Sequence, residues 1–278
     1  MLKHFTFHIL LFPFHGVFAM MKPIHNPEEG PLKLVGLMSG SGTNIRKILE
    51  HQIKLAKQAG TSLFKIVVLF SDNGNSNASK IGMEYDIPVI TRDIAGFYAK
   101  RGKKRNDLTI RPEFDAETVK ALSPFEVKAG IYGGYMSVVT SPLIHAFLGV
   151  NVHPADLSIE EGGKRKFTGS HAVRDAIAHG EKTIAATTHI VEDAVDQGPI
   201  LMISPPLPVI LKKEWDLSNP EHLKESESFN QERLKENGDW LIFPKTIEYL
   251  AQGRYGRDET GTLYFDGKPI PYGLRYEI

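Results

Sequence analysis

The first clear apolar run of the chain leads directly into a glycine-rich turn and then into a helical pattern. Residues Lys33–Met38 are almost uniformly apolar, without polar alternation. Such a strand is typical of a parallel sheet that helices cover on both faces. The turn Ser39–Asn44 contains two glycines, and Ile45–Gln58 then carries apolar residues at helical spacing before Gly60. This order predicts the beginning of an α/β domain, and it constrains the fold more than any other feature.

The alternation of strand and helix patterns continues downstream. A helix is predicted over Ala78–Tyr85, between strands at Phe64–Phe70 and Pro88–Ile90. Further strands are predicted at 128–132, 149–153, 184–191 and 200–203, and helices at 114–122, 171–179 and 221–252, the last with a break near Asn237-Gly238. The pair Asp266-Gly267 predicts a hairpin. We therefore expect an α/β fold, a Rossmann-like open twisted sheet that is mostly parallel and has helices on both faces.

Composition narrows the possible partners and chemistry. The formal net charge is +0, so the overall charge gives no reason to expect a nucleic acid or membrane partner. The chain has no cysteine, which excludes disulfides, thiolate catalysis and cysteine-ligated zinc. This composition fits a reducing compartment, and we expect a cytoplasmic protein.

Residues 1–30 are predicted to be an extension outside the fold, either disordered or translated from a start codon that is called too early. The apolar run Phe5–Phe12 is flanked by His4 and Pro13 and contains His8. It is shorter than the roughly 20 residues that span a bilayer, and no clear cleavage site for a signal peptide follows. Residues 31–278 are then expected to form a single domain.

The segment Gly149–Pro154 is the strongest candidate for a functional site. It reads as a buried strand that stops at a proline, and ligands of open α/β sheets bind beyond the carboxyl ends of the strands. Asn151 and His153 lie two residues apart, so their side chains point to the same face. One offers an amide donor and the other a group that titrates near neutral pH. Taken alone, the segment is also compatible with a buried Asn and His that only bond to backbone.

The turn Ser41–Asn44 is a candidate anion site. A strand, a glycine-rich turn and a helix together present backbone N–H groups and a helix dipole to a negative ligand. The spacing matches neither the dinucleotide fingerprint nor the lysine-bearing phosphate loop. The alternative is that the glycines serve only the geometry of the turn.

Two motifs together carry a resemblance to a known family. Asn151-Val152-His153-Pro154, followed by Asp196-Gln197-Gly198-Pro199, resembles the signature of the 10-formyltetrahydrofolate-dependent formyltransferases. The turn Ser41–Asn44 is similar to the phosphate-binding turn of the branch that formylates glycinamide ribonucleotide. The likeness extends from about Leu32 to the C-terminus.

The resemblance implies roles for particular residues. Asn151 would donate a hydrogen bond to the developing oxyanion, His153 would supply a proton or positive charge, and Asp196 would orient the imidazole or hold a relaying water. The N-terminal half of the domain would bind the phosphorylated substrate and the C-terminal half the folate. By the same resemblance, Ser41, Gly42, Thr43 and Asn44 would bind phosphate, Arg111, Tyr135, Met136, Ser137, Val138 and Val139 would form the folate and formyl pocket, and His171 and His189 would support the site.

The implied reaction is transfer of a formyl group from 10-formyltetrahydrofolate to the amine of glycinamide ribonucleotide, in de novo purine synthesis. The co-substrate would be the folate, with no metal, and the protein would be a monomer or homodimer acting on small molecules. Another phosphorylated or nucleotide-linked amine as acceptor, hydrolysis of formyltetrahydrofolate, and a non-catalytic nucleotide-binding module stay open.

One departure from the family pattern bears on the acceptor more than on the chemistry. The family usually continues His-Pro with Ser-Leu-Leu-Pro, whereas this chain has Ala155-Asp156-Leu157-Ser158. The loop that follows, Gly162–Lys166, is also unusually basic.

Overall fold

The computed structural model describes residues 21–277 and is built around one eight-stranded sheet. Its strands in chain order are β1 (Leu32–Met38), β2 (Phe64–Ser71), β3 (Val89–Thr91), β4 (Ala129–Tyr132), β5 (Leu148–His153), β6 (Thr187–Ile190), β7 (Ile200–Ile203) and β8 (Leu274–Arg275). Their order across the sheet is β8-β7-β6-β5-β4-β1-β2-β3.

The sheet is mostly parallel. Strands β1 to β5 all run in one direction. Strand β6 runs against both β5 and β7, and β8 is parallel to β7. The predicted fold class is therefore confirmed, with β6 as the strand that breaks the parallel order.

Helices cover the sheet on both faces. They are α1 (Thr43–Ala59), α2 (Ala78–Tyr85), α3 (Ile94–Lys100), α4 (Arg111–Leu122), α5 (Ser141–Ile144), α6 (Ala172–Ala178), α7 (Pro220–Leu234) and α8 (Trp240–Ala251), with 3-10 turns at Pro27–Glu29, Leu108–Ile110 and Ser123–Phe125. Side chains of β1 alternate between two cores: Leu34 and Met38 pack with α1 and α8, whereas Val35 and Leu37 pack with α3 and α4. Because both faces are buried, β1 needs no polar alternation.

Three local predictions differ from the structure in detail. The long helix expected over 221–252 consists of α7 and α8, joined by a π-helical segment, Lys235–Asp239. The strand expected over 184–191 is divided, because Thr183–Ile184 pairs with Leu207–Pro208 in a separate ribbon. The helix predicted from residue 114 begins at Arg111, with Pro112 in its first turn, where a missing N–H costs nothing.

The hairpin prediction at Asp266-Gly267 is confirmed. Leu263–Phe265 pairs with Lys268–Pro269, and the two turn residues have φ of 48° and 76°. Positive φ at both central positions is the conformation of a type I′ turn, which matches the twist of the flanking strands.

Residues 21–30, within the predicted extension, contact the C-terminal part of the domain. Lys22–Pro23 pairs antiparallel with Tyr255–Arg257, at one end of a four-stranded sheet. The remainder of the predicted extension, residues 1–20, lies outside the described residues. Among residues 21–277, no helix combines the length and the apolar character needed to cross a bilayer.

Candidate active site

Asn151 and His153 end strand β5, and the neighbouring strand adds a third polar side chain to the same face. In the antiparallel ladder, His189 of β6 lies opposite Asn151 and Thr187 lies opposite His153. Side chains that are directly opposite in such a ladder are close neighbours on one face. The register of β6 therefore places His189 beside Asn151.

Asp196 reaches this face from the turn between β6 and β7. A Cβ added at Gly198 would lie 1.9 Å from the Ile190 carbonyl oxygen, so the turn can pack this closely on β6 only with glycine there. Asp196 Oδ2 lies 3.5 Å from His153 Nδ1, and its Oδ1 lies 3.6 Å from His189 Nε2. The structure thus brings together Asn151, His153 and Asp196, which we call the strand-end cluster.

The hydrogen bond that His153 makes to the backbone shows which of its ring nitrogens can accept a proton. Its Nε2 is 2.9 Å from the Phe167 carbonyl oxygen, which can only accept, so Nε2 carries a proton and Nδ1 faces Asp196. Burial lowers the pKa of His153, and this effect exceeds the opposing influence of the Asp196 carboxylate and the Phe167 carbonyl. His153 is therefore neutral at neutral pH, and its Nδ1 can accept a proton.

Asp196 stays ionised despite its burial. Burial alone would raise the pKa of this carboxyl, but the neighbouring imidazoles of His189 and His153 and the backbone N–H of Gly169 together lower it to about 2. The Gly169 N–H donates to Oδ2 at 2.7 Å. A fixed negative charge thus stands beside the imidazole and would stabilise its protonated form.

His189 orients the amide of Asn151. Its Nδ1 lies 3.0 Å from the Ile190 carbonyl oxygen and must donate to it, which leaves Nε2 as the acceptor in the neutral ring. Asn151 Nδ2 lies 3.1 Å from that nitrogen. One amide N–H of Asn151 is then engaged by His189, and the second is free to donate to a substrate oxygen.

The predicted phosphate turn has the geometry of an anion site. Gly42 precedes α1 with φ 67°, and no side chain caps the helix. The first turn of α1 contains no acidic residue. A Cβ at Gly42 would lie 2.6 Å from both Ile81 Cδ1 and Met38 Cε, so these side chains would have to move, and the left-handed backbone angle itself favours glycine. The N-terminus of α1 is therefore open to a negative ligand.

Asp239 stands behind this turn, and the sequence analysis missed it. Asn44 Nδ2 donates to Asp239 Oδ2 at 3.3 Å. Asn44 Oδ1 and Asp239 Oδ1 are both buried without a hydrogen-bond partner. Burial raises the pKa of Asp239 to about 7. The only sequence signal was the break near Asn237-Gly238, which corresponds to the π-helical segment that carries Asp239; such segments are frequent at functional sites.

The turn after β4 lies against the beginning of the phosphate turn. Ser39 N–H donates to the Gly134 carbonyl, and Met136 N–H donates to Ser39 Oγ, both at 3.0 Å. Met136 is 72% exposed and Val138 45% exposed, so these apolar side chains are accessible to a ligand. Val139 is half-buried. Ser137 donates to Asp72 and accepts from Arg105.

Arg111 and His171 lie in different surroundings from the strand-end cluster. Arg111 is 2% exposed, and its Nε lies 3.1 Å from Asp115 Oδ1 in a buried ion pair. A longer contact of 3.4 Å joins Arg111 to the Tyr135 hydroxyl. His171 is half-exposed and pairs with Glu227 of α7 at 3.1 Å. The assignment of Arg111 to the folate pocket and of His171 to support of the site stays a prediction. In residues 21–277, no group of three or more His, Asp or Glu side chains is arranged to hold a metal ion.

Comparison with known proteins identifies the class to which this fold and site belong. A model of the formyl transferase family matches residues 32–228, and the chain belongs to that family. It is accordingly an enzyme, a formyltransferase.

Within the family, the chain is similar to phosphoribosylglycinamide formyltransferases. It is 30% identical to the enzyme of that name from Mycobacterium tuberculosis over 193 residues, which cover 69% of this chain and 78% of the relative. It is 25% identical to the one from Haemophilus influenzae over 241 residues, 86% and 96% of the two chains. The fold matches the structure of the Coxiella burnetii phosphoribosylglycinamide formyltransferase with a TM-score of 0.63, at 23% identity, over 89% of this chain and 100% of that one.

Proposed function

We propose that this protein transfers the formyl group of 10-formyltetrahydrofolate to the primary amine of glycinamide ribonucleotide, a step of de novo purine synthesis. The names of the relatives support this acceptor. The central structural support is the placement of two sites at one edge of the sheet. The phosphate turn follows β1, and Asn151 and His153 of the strand-end cluster lie at the end of β5. Only β4 lies between these two strands in the sheet.

The separation of the two sites suits a ribonucleotide that carries an amine. Neighbouring strands are about 4.8 Å apart, so two spacings place the N-terminus of α1 roughly 10 Å from the end of β5. A ribose with a short amide arm can bridge such a gap, with its phosphate at Gly42 and its amine near His153. A substrate with no phosphate would leave the N-terminus of α1 without a partner.

The proposed chemistry balances within this site. The amine nitrogen attacks the formyl carbon, a new C–N bond forms, and the carbonyl oxygen becomes an oxyanion. The free N–H of Asn151 donates to that oxyanion, an interaction that contributes about a hundredfold or more in rate in other acyl-transfer enzymes. The bond between the formyl carbon and the folate nitrogen then breaks, and the folate nitrogen takes up a proton.

His153 and Asp196 would carry the proton between the two nitrogens. The amine becomes acidic as it bonds to the formyl carbon, and the neutral Nδ1 of His153 can accept its proton, directly or through one water. The imidazolium is stabilised by Asp196 Oδ2 at 3.5 Å. It then returns the proton to the leaving nitrogen, so Asp196 remains ionised throughout.

The folate side of the site is proposed to be the turn after β4. Its exposed Met136 and Val138 offer an apolar surface to a planar ring, and Ser39 Oγ fixes the backbone of that turn. The co-substrate supplies an activated formyl group and a nitrogen leaving group.

A direct assay tests the acceptor. The loss of formyl-folate is followed by absorbance with and without glycinamide ribonucleotide, and the dephosphorylated glycinamide ribonucleoside serves as the matched acceptor. We expect turnover only with an amine, and a KM at least roughly tenfold higher for the ribonucleoside, since charge-assisted hydrogen bonds to phosphate are strong. Loss of formyl-folate without an amine would indicate a hydrolase. No loss with either acceptor would contradict the proposal.

A cytoplasmic location belongs to the same proposal and is supported by the cysteine-free sequence. We also expect the protein to act as a monomer or homodimer on small-molecule substrates. Fractionation of the cells and size-exclusion chromatography test these two expectations.

A further inference from the structure

Arg165 contacts the turn that carries Asp196 from a hairpin on the other side of the site. The hairpin pairs Glu160–Glu161 with Lys164–Arg165, and Gly162 and Gly163 form its tip. Arg165 Nη1 donates to the Asp196 carbonyl at 2.5 Å and to the Gly198 carbonyl at 2.9 Å. Both acceptors are backbone groups of the turn between β6 and β7, residues 191–199, which we call the catalytic turn. The contact therefore fixes this turn and does not neutralise the Asp196 carboxylate by a direct ion pair.

The catalytic turn needs such support because its backbone is strained. Asp196 has φ 55°, in the left-handed region that is unfavourable for a residue with a Cβ. Strained conformations at functional sites persist only when the surrounding structure determines them from several sides. Arg165 holds the two carbonyls, while the Gly169 N–H holds the carboxylate oxygen Oδ2. Backbone and side chain of Asp196 are thus fixed by the same stretch of chain, residues 160–169.

We infer that Arg165 is a positioning residue for formyl transfer, which holds the Asp196 carboxylate in place beside the His153 imidazole. This inference rests on the proposed function, because it assigns Arg165 to the reaction through Asp196.

The charge of Arg165 gives a second readout besides turnover. Charged and polar groups approach His153 from each neighbouring element: Asp196 from the turn, His189 from β6, Arg165 from the hairpin and the Phe167 carbonyl. Of these, Arg165 and His189 lower the pKa of His153, whereas Asp196 and the carbonyl raise it. Removal of the Arg165 charge is therefore expected to raise the pKa of His153 and to move the acid limb of the pH profile to higher pH.

Arg165→Gln tests the inference, and Lys164→Ala is the matched control. Lys164 is the neighbouring basic residue of the same short strand but is exposed. We expect Arg165→Gln to lower kcat roughly tenfold or more, because small displacements of catalytic groups have effects of this size, with KM for both substrates changed less than about twofold. The kcat of Arg165→Lys, which keeps the charge, should lie between that of Arg165→Gln and that of the wild type. Lys164→Ala should match the wild type.

A double-mutant cycle with Asp196→Asn distinguishes positioning from a general structural effect. Single-turnover rates are measured with excess enzyme for wild type, both single variants and the double variant. If Arg165 acts through Asp196, Arg165→Gln changes the rate much less in the Asp196→Asn background. An equal loss in both backgrounds, or a wild-type kcat and pH profile for Arg165→Gln, would overturn the inference. Failure of the proposed function is separate, because it would appear as no loss of formyl-folate by the wild type with either acceptor.

Discussion

His189 faces Asn151 directly across the β5–β6 ladder, and its Nε2 accepts a hydrogen bond from Asn151 Nδ2 at 3.1 Å. The second ring nitrogen is fixed by the Ile190 carbonyl, so the ring has one available tautomer and one orientation. An amide side chain can rotate to exchange its oxygen and nitrogen, and this contact decides which of them faces the substrate. We therefore predict that His189 orients Asn151.

Loss of His189 should weaken oxyanion stabilisation without removing the donor. We expect His189→Ala to lower kcat roughly tenfold, and Asn151→Ala to lower it about a hundredfold or more, since only the latter removes the donor itself. Steady-state kinetics of both variants measure the difference, and His145→Ala serves as the control because the His145 side chain is exposed and has no assigned role in the site. A wild-type kcat in His189→Ala would show that Asn151 keeps its orientation without this partner.

The sequence was sufficient for the parts of the site that depend on local spacing. Asn151 and His153 share a face because they are two residues apart on a strand, and Gly42 marks the turn because α1 follows it at once. The importance of His189 was not accessible in this way. It depends on the register of β6 against β5, which is set by packing between segments almost forty residues apart.

Asp239 and Arg165 were beyond prediction for related physical reasons. Asp239 meets Asn44 across 195 positions of the chain, and a π-helical segment, which shifts the phase of the helix, brings it there. Arg165 lies in a loop that is basic in sequence, but composition does not determine which side chains of a two-residue hairpin strand face the site.

Gly42 should be essential for binding of the phosphorylated substrate. Gly42→Ala would place a Cβ at a left-handed φ of 67° and 2.6 Å from Ile81 Cδ1 and Met38 Cε, so the turn or these side chains must shift, and a shift of the turn misaligns its N–H groups. We expect KM for glycinamide ribonucleotide to rise at least roughly tenfold, with KM for the folate unchanged. Gly60→Ala is the matched control, because Gly60 also has positive φ, 76°, but its Cβ would meet open space. Equal effects of the two variants would point to general backbone strain.

The pH profile should reflect a neutral His153. Burial lowers the pKa of this imidazole from its usual 6.5, so the group accepts protons at neutral pH and loses this ability only as the pH falls below the lowered value. We expect kcat, measured at saturating substrates over about pH 5 to pH 9 so that titration of the free acceptor amine does not contribute, to have an acid limb centred below 6.5. In Asp196→Asn the limb should move lower still, because the carboxylate that raises the pKa is gone. A limb centred above 6.5 would mean that burial does not lower the pKa of His153.

Asp239 should make stability fall as the pH rises. Burial raises its pKa to about 7 from an ordinary 3.8, so between these values the folded protein holds a proton that the unfolded chain releases. The unfolding free energy therefore declines through this window, and Asp239→Asn removes the decline. We expect the variant to be more stable than the wild type at about pH 8, by roughly 2–4 kcal/mol, and equally stable near pH 4.

Denaturant titrations at the two pH values measure this difference. Asp216→Asn is the control, because hydrogen bonds from Ser218 lower the pKa of Asp216. Its effect on stability therefore has the opposite sign to that of Asp239: the Asp216 carboxylate stabilises the fold at pH values above its ordinary pKa. If the stability of the wild type relative to Asp239→Asn does not decline between about pH 4 and pH 8, Asp239 is not held in its protonated form in the folded protein, and the prediction is wrong.

The central claim is that the strand-end cluster, Asn151, His153 and Asp196, performs formyl transfer. The most direct test is the single-turnover rate of Asp196→Asn with 10-formyltetrahydrofolate and glycinamide ribonucleotide, with folding of the variant verified by circular dichroism. The account predicts a rate at least a hundredfold below that of the wild type, because loss of one catalytic electrostatic contact lowers the rate by about this factor in other enzymes. A rate close to that of the wild type would contradict it.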